Sequence, residues 1–134
     1  MQPPDERIPI AASEDLVTLR RAVRERAAAL GFGHTDQVRL ITAASELGRN
    51  ILVYAVRGFA DLSTISGNNG RRGLRVCFVD KGQGIEDINL ALKDGYTSGR
   101  GLGKGLPGAR RLVDEFEISS EVGRGTVVTI TKWL

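Results

Sequence analysis

Glu46 and Asn50 stand four residues apart in a stretch whose apolar residues recur at helical spacing. Residues at that separation share one face of a helix. A carboxylate and an amide oxygen are hard donors that suit Mg²⁺, which keeps several waters and bridges to phosphates. Asn50 would then be the direct ligand, and Glu46 would orient a water or act as a base on an attacking hydroxyl. Glu and Asn also sit on many solvated helix faces, so this spacing alone does not define a site.

Asp80 closes an apolar run and precedes Gly82 and Gly84. A carboxylate at the end of a strand can accept a hydrogen bond from an exocyclic amine such as adenine N6, and the two glycines let the backbone fold close beneath a flat ring. The same Asp-x-Gly pattern also makes an ordinary turn. Further on, Gly101, Gly103 and Gly105 alternate with Leu102 and Lys104 before Leu106-Pro107-Gly108. A glycine-rich loop entering a helix offers free N–H groups and a positive dipole end to phosphate, and Lys104 could add charge. No Gly-Lys-Ser/Thr ending follows, so this is not a Walker loop. A polar segment rather than a strand precedes it, which excludes a dinucleotide fingerprint. Finally, Gly123-Arg124-Gly125-Thr126 opens the last apolar-alternating run, and the Thr126 hydroxyl could reach the adenine edge directly or through water.

The elements that must carry these groups can be read from periodicity. Residues 7–12 read as a short edge strand, because Pro9 bars a central position. Ser13 is the expected N-cap, with Glu14 and Asp15 in the first turn. Leu16, Leu19, Val23, Ala27 and Leu30 form a helical stripe that stops at Gly31. A second helix opens at Gly33 or Thr35 and runs to about Val56, with Val38, Ile41, Ala44 or Ser45, Leu47 and Ile51 as its core stripe. Residues 59–66 read as a strand, 67–73 as a turn with several positive-φ candidates, and 74–79 as a strand. A short helical stretch spans Ile88 to Lys93. Pro107 suits a helix's first turn, and that helix extends to about Asp114. Strands at 115–121 and 126–133 follow. The order predicts an α+β fold: a two-layer sandwich with helices on one face of a mixed, mainly antiparallel sheet.

At 134 residues with 41% hydrophobic content, the chain reads as a single domain, residues 1–134, with a real core. The net charge of +3 is spread out, with Arg71-Arg72 the densest basic cluster, and a nucleic-acid footprint needs a denser patch. A lone cysteine, Cys77, rules out an internal disulfide, and it reads as a small buried hydrophobe. A lone histidine, His34, rules out a multi-histidine metal site. No apolar run approaches membrane-spanning length, and the polar N-terminus lacks a signal-peptide core. The expectation is a cytoplasmic protein with neither membrane nor nucleic-acid partners.

The four elements in this order resemble the GHKL ATPase and kinase superfamily, whose Bergerat fold binds ATP. The pattern is a helical Glu-x-x-x-Asn, then Asp-x-Gly-x-Gly, then Gly-x-Gly-x-Gly, then Gly-Thr. Ala43 to Asn50, Gly95-Tyr96-Thr97-Ser98-Gly99, Pro107 to Phe116 and Lys132-Trp133-Leu134 are similar to the serine-protein kinases of the RsbT type. These are switch proteins of stressosome-type partner-switching modules, related to anti-sigma-factor kinases. The resemblance covers the chain from about residue 8 onward.

It implies an ATP- and Mg²⁺-dependent serine/threonine kinase. Such a kinase phosphorylates a STAS-domain antagonist and, when released, activates a PP2C-type phosphatase or another output protein. Carried over by motif, Asn50 would hold Mg²⁺ and Glu46 would be the catalytic carboxylate, with Arg49 beside the phosphates or the partner. Asp80, Gly82 and Gly84 would line the adenine pocket, with Thr126 opposite. Residues 85–105 would form the ATP lid, with Gly101, Leu102, Gly103, Lys104 and Gly105 around the phosphates. Lys104 departs from the small or apolar residue expected between lid glycines, and 57–73 matches loosely. The alternative reading is a binding module that uses ATP to set partner affinity without transferring phosphate. Glu46, which nucleotide binding alone does not require, argues against it.

Overall fold

The computed structural model describes residues 3–55, 57–82 and 106–134. The short helix expected over 88–93 and the lid expected over 85–105 lie outside the described residues. Five strands and three helices make up the rest: β1 (Glu6–Ile10), α1 (Ser13–Leu30), α2 (His34–Tyr54), β2 (Gly58–Ser66), β3 (Arg72–Asp80), α3 (Leu106–Arg111), β4 (Glu115–Glu121) and β5 (Gly125–Trp133). A 3₁₀ turn at Asn68–Gly70 joins β2 to β3, with Asn69 and Gly70 supplying the positive φ angles (66° and 75°) expected of that segment. The strands form one sheet in the order β1-β2-β3-β5-β4. Every neighbouring pair is antiparallel, so no parallel pairing of the expected mixed sheet occurs among the described strands. No described helix is long and apolar enough to cross a membrane.

One sheet face is covered by helices. Leu62, Leu74, Val76, Phe78, Val128 and Ile130 point into the core, where they meet the stripe Leu16, Leu19, Val23, Ala27 and Leu30 of α1. Strict alternation on the strands and 3.6-residue recurrence on the helices produce these two surfaces. Pro9 sits opposite Phe59 on edge strand β1, the kind of position in a sheet that tolerates proline. Gly31 ends α1 at φ 100°.

Four expectations need correction. The N-cap of α1 is Ala12, not Ser13. The capping is done from inside the helix by the Asp15 carboxylate, which accepts the N–H groups of Ala11 and Ala12 at 2.8 and 3.0 Å. On α2 the buried stripe is Leu40, Ala43, Ala44, Leu47, Gly48 and Ile51. Ala44, Leu47 and Ile51 are buried as expected, but Ile41 is only partly buried and Val38 is 45% exposed, because the first turns of α2 reach the core through Leu40 and Ala43. Cys77 is only half-buried, and its Sγ accepts a bond from the Thr129 hydroxyl at 3.5 Å. The parity of β3 puts it on the face away from the helices. The third helix ends at Arg111 rather than Asp114.

The two long helices touch through Gly48. A Cβ there would lie 2.8 Å from a Leu16 methyl and 2.9 Å from a Leu19 methyl. Replacing glycine inside a helix gains at most about 1 kcal/mol of propensity, whereas overpacking a filled seam costs about 1–3 kcal/mol. The clash should win for a branched side chain. Gly48→Val is expected to lower unfolding stability by about 2 kcal/mol, measured by urea titration. An unchanged urea midpoint would show that the seam is slack.

Candidate active site

On the helix-covered side, the apolar lining of the sheet stops at one end. There a row of four residues crosses four strands: Gly58 on β2 opposite Asp80 on β3, Asp80 opposite Thr126 on β5, and Thr126 opposite Ser120 on β4. The register that buries Val76, Phe78, Val128 and Ile130 also fixes this row, because strand side chains alternate with period two.

Glycines surround Asp80. A Cβ on Gly58 would press into the Val79 carbonyl oxygen, and one on Gly125 would press into that of Asp80. Gly125 also has φ 115°, a backbone conformation that disfavours side chains. A Cβ on Gly82 would sit 2.7 Å from Ala55 Cβ and 3.1 Å from the Tyr54 carbonyl oxygen. The segment after β3 is therefore seated directly against the C-terminal end of α2. The Asp80 carboxylate accepts the Gly82 N–H at 2.9 Å. Burial pushes its pKa up from the ordinary carboxyl value, and hydrogen bonds from the backbone N–H groups of Gly82 and Thr126 pull part of the shift back. The Thr126 hydroxyl lies 2.8 Å from the Ser120 hydroxyl, and Ser120 Oγ also donates to the Gly125 carbonyl at 3.1 Å.

Glu46 and Asn50 are both half-buried on α2, beside its core stripe. Helix geometry spaces them. From the Tyr54–Ala55 end that holds Gly82, Asn50 lies about one turn back and Glu46 about two, roughly 6 and 12 Å along the axis. Arg49 is exposed. α3 packs on α2 through its buried residues Leu106 and Ala109. The expected residues Asp80, Gly82 and Thr126 thus come together, and Asn50 and Glu46 follow along the helix that backs them. Gly84, Gly101, Leu102, Gly103, Lys104 and Gly105 lie outside the described residues. Three contributors escaped the sequence reading: Gly58, Ala55 and Ser120. Ser120 occupies an inward position of an alternating strand, but its opposition to Thr126 becomes visible only with the β4–β5 register.

Residues 10–132 match the family profile of the histidine kinase-like ATPase domain. The serine/threonine-protein kinase RsbT of Bacillus subtilis (strain 168) is 44% identical over 120 residues, which is 90% of each chain. The chain belongs to the RsbT-type serine/threonine-protein kinases. An anti-sigma F factor of Thermoanaerobacter sp. (strain X514) is 29% identical over 96 residues, covering 69% of this chain and 67% of its own. Among solved structures, the RsbU and RsbW domains of a Mycobacterium tuberculosis protein superpose with a TM-score of 0.64 at 24% identity. That match covers 96% of this chain and 32% of the other, and it bears on the fold alone. As an RsbT-type kinase the protein is an ATP-using enzyme of a partner-switching system, and the Bergerat-type α+β architecture read from its sequence stands.

The raised pKa of Asp80 sets the sign of a pH effect. Between the ordinary carboxyl value, about 4, and the raised one, the folded protein keeps a proton that the unfolded chain releases. The contribution of this group to stability is full below that window and is lost as pH rises through it. Asp80→Asn cannot titrate. In urea unfolding at a series of pH values, stability of the wild type minus that of Asp80→Asn should fall across the window and level off above it. A difference that grows with pH would mean that the two N–H bonds outweigh burial.

Proposed function

We propose that this RsbT-type kinase transfers the γ-phosphate of MgATP to a serine or threonine of a STAS-domain antagonist. Once released from that complex, it would activate a PP2C-type phosphatase or a similar output protein. The setting would be the cytoplasm, within a stressosome-type module. The observation that carries the reading is the half-buried Asp80 carboxylate at the end of β3, walled by Gly58, Gly82 and Gly125. Its remaining lone pairs have no role in the ladder and suit an exocyclic amine, while the glycines let neighbouring backbone close tightly around the carboxylate and hold it in place.

The donor set fits the cofactor pair. Asn50 supplies a hard oxygen for Mg²⁺ one turn from the base end of the site, and the metal when bound would neutralise charge on the phosphates. Arg49, exposed on the next position of the helix, would meet the phosphates or the partner. Glu46, a further turn away, would take the proton from the attacking hydroxyl. Gly84 and the run Gly101, Leu102, Gly103, Lys104 and Gly105 complete the assignment on their motif match. Catalysis of this kind relies chiefly on positioning and electrostatic stabilisation. Glu46 is the residue that distinguishes a kinase from a module that only binds ATP.

Incubation with γ-labelled MgATP and a STAS-domain protein from the same source should label the substrate. Glu46→Gln should reduce that label by about 100-fold or more while leaving ATP affinity within about threefold. Persistent transfer in the variant would remove Glu46 from the chemistry. ATP binding with no transfer by the wild type would favour the nucleotide-gated binding module. Asp80→Asn should separate the roles by weakening ATP affinity about 10- to 100-fold, the worth of one hydrogen bond to a charged group.

A further inference from the structure

We propose that Asn69 is a self-modification site: in the folded protein its side-chain amide closes on the backbone nitrogen of Gly70, loses ammonia and becomes aspartate or isoaspartate. The site is separate from the candidate nucleotide site and does not rest on that reading. The chain has four asparagines, Asn50, Asn68, Asn69 and Asn89, and of these Asn69 alone precedes a glycine. Without a Cβ on the following residue, nothing crowds the backbone nitrogen that must attack.

The chemistry needs only water. The Gly70 nitrogen gives its proton to hydroxide and bonds to Asn69 Cγ. The Cγ–Nδ2 bond then breaks, and Nδ2 takes up a proton and leaves as ammonia. A five-membered imide remains. Water opens it at Cγ to give aspartate, or at the main-chain carbonyl carbon to give isoaspartate, whose backbone runs through the side chain. One water is consumed and one ammonia released, with no change of oxidation state.

The fold leaves this dipeptide open to that reaction. Asn68 to Arg72 are all exposed, and a Cβ on Gly70 would meet nothing within 4 Å. Asn69 sits at φ 66° and ψ 21°, a left-handed conformation that an L residue adopts at a cost. Ring closure needs Cβ and the Gly70 nitrogen on the same side of the Cα–C bond. The observed ψ puts them on opposite sides, so the turn must open first. Two backbone bonds close it: the Gly67 N–H to the Arg71 carbonyl at 2.8 Å, and the Arg71 N–H to the Asn68 carbonyl at a long 3.4 Å. Exposed turns held this lightly open without unfolding the rest of a protein. Asn50, by contrast, is half-buried within α2. The new carboxylate stands beside Arg71, whose guanidinium lies 4.6 Å from the Trp133 ring centre. The turn lies at the opposite end of the nine-residue β3 from Asp80, roughly 27 Å away.

The experiment ages the purified full chain at neutral and mildly alkaline pH and maps its proteolytic peptides by mass spectrometry. The mass gain of an amide turned acid should appear at Asn69. It should come in two chromatographic forms, one matching the peptide of Asn69→Asp and the other its isoaspartyl isomer. Its rate should rise in proportion to hydroxide, because the nitrogen loses its proton before it attacks. In the folded protein the rate should lie within about tenfold of that in guanidinium-unfolded protein, since the turn opens locally at small cost. Asn69→Gln should lose the signal, because its ring would be one atom larger. A gain that appears first at Asn68 or Asn50, or no gain at all, would overturn the proposal. A single product matching Asn69→Asp would mean direct hydrolysis without a ring and overturn it too. Folded protein that reacts about a thousandfold more slowly than unfolded protein would show that only global unfolding admits the reaction, which again removes the site.

Discussion

The register between β3 and β5 governs this molecule. It puts Val76 opposite Ile130 and Phe78 opposite Val128 on the side that the helices cover, and it puts Asp80 opposite Thr126 on that same side. A slip of one residue would turn the whole apolar set outward and strand the core helices over polar side chains. Core formation and site formation are therefore one event. The hydrophobic burial that drives folding also selects which face the Asp80 carboxylate occupies, with no separate interaction needed to aim it.

The two ends of the sheet differ accordingly. At the far end, β3 and β5 close over themselves. Trp133 lies against Gly67 and Gly73, with the Arg71 guanidinium 4.6 Å from its ring centre. Nearby, Lys132 is buried with its Nζ 3.6 Å from Asp36 and 3.7 Å from Asp114. Those ion pairs join the start of α2 and the entry to β4 to the last strand. At the site end, Gly58, Gly82 and Gly125 stand where a side chain would collide with neighbouring backbone or Ala55, beside a carboxylate whose burial opposes its ionisation. Glycine adds conformational entropy to the unfolded chain, and a half-buried charge adds a desolvation penalty. The fully buried Leu19, Leu40, Leu62, Leu74 and Ile130 lie between the two ends, so stability is concentrated in the middle and relaxed where a ligand would enter.

Much of this was readable from residue order because the patterns involved are local. The α1 stripe, the Gly31 stop, the edge position of Pro9 and the strand at 115–121 each depend on spacing within one element. The candidate groups Glu46, Asn50, Asp80, Gly82 and Thr126 were likewise picked out by residue type and spacing, and the fold brings the last three together. What escaped depends on partners far away in sequence. Val38 misled because successive three-residue steps back from Ala44 drift off a stripe of 3.6-residue period, whereas the buried face runs back through Ala43 and Leu40. Cys77 misled because a strand covered on one face only leaves alternate positions outward, and an apolar run does not say which strands those are. Ser13 lost the cap to Asp15, which reaches back to two N–H groups at once. Gly58 and Ser120 carry no motif at all. They acquire a role only when β2 is set beside β3, and β4 beside β5.

The remaining dimension of the site is supplied by α2. A helix fixes distance along its axis to within its own stiffness, so seating Gly82 on Tyr54 and Ala55 also fixes where Asn50 and Glu46 stand relative to Asp80. On the proposed reading, base recognition at one end and phosphate chemistry further along are measured off against a single rigid element. That element is held laterally by the glycine seam at Gly48, where Leu16 and Leu19 of α1 leave no room for a side chain. Gly48 lies between Glu46 and Asn50 in sequence yet faces the opposite way, into the core. The same short stretch of helix therefore does two jobs on two faces. One face sets how closely the helices pack, and the other carries Asn50 and Glu46, which on the proposed reading would face the ligand at a position that this packing decides. A change at the seam would be felt by Asn50 and Glu46 before it reached Asp80, because the sheet register that positions Asp80 does not pass through the α1–α2 contact.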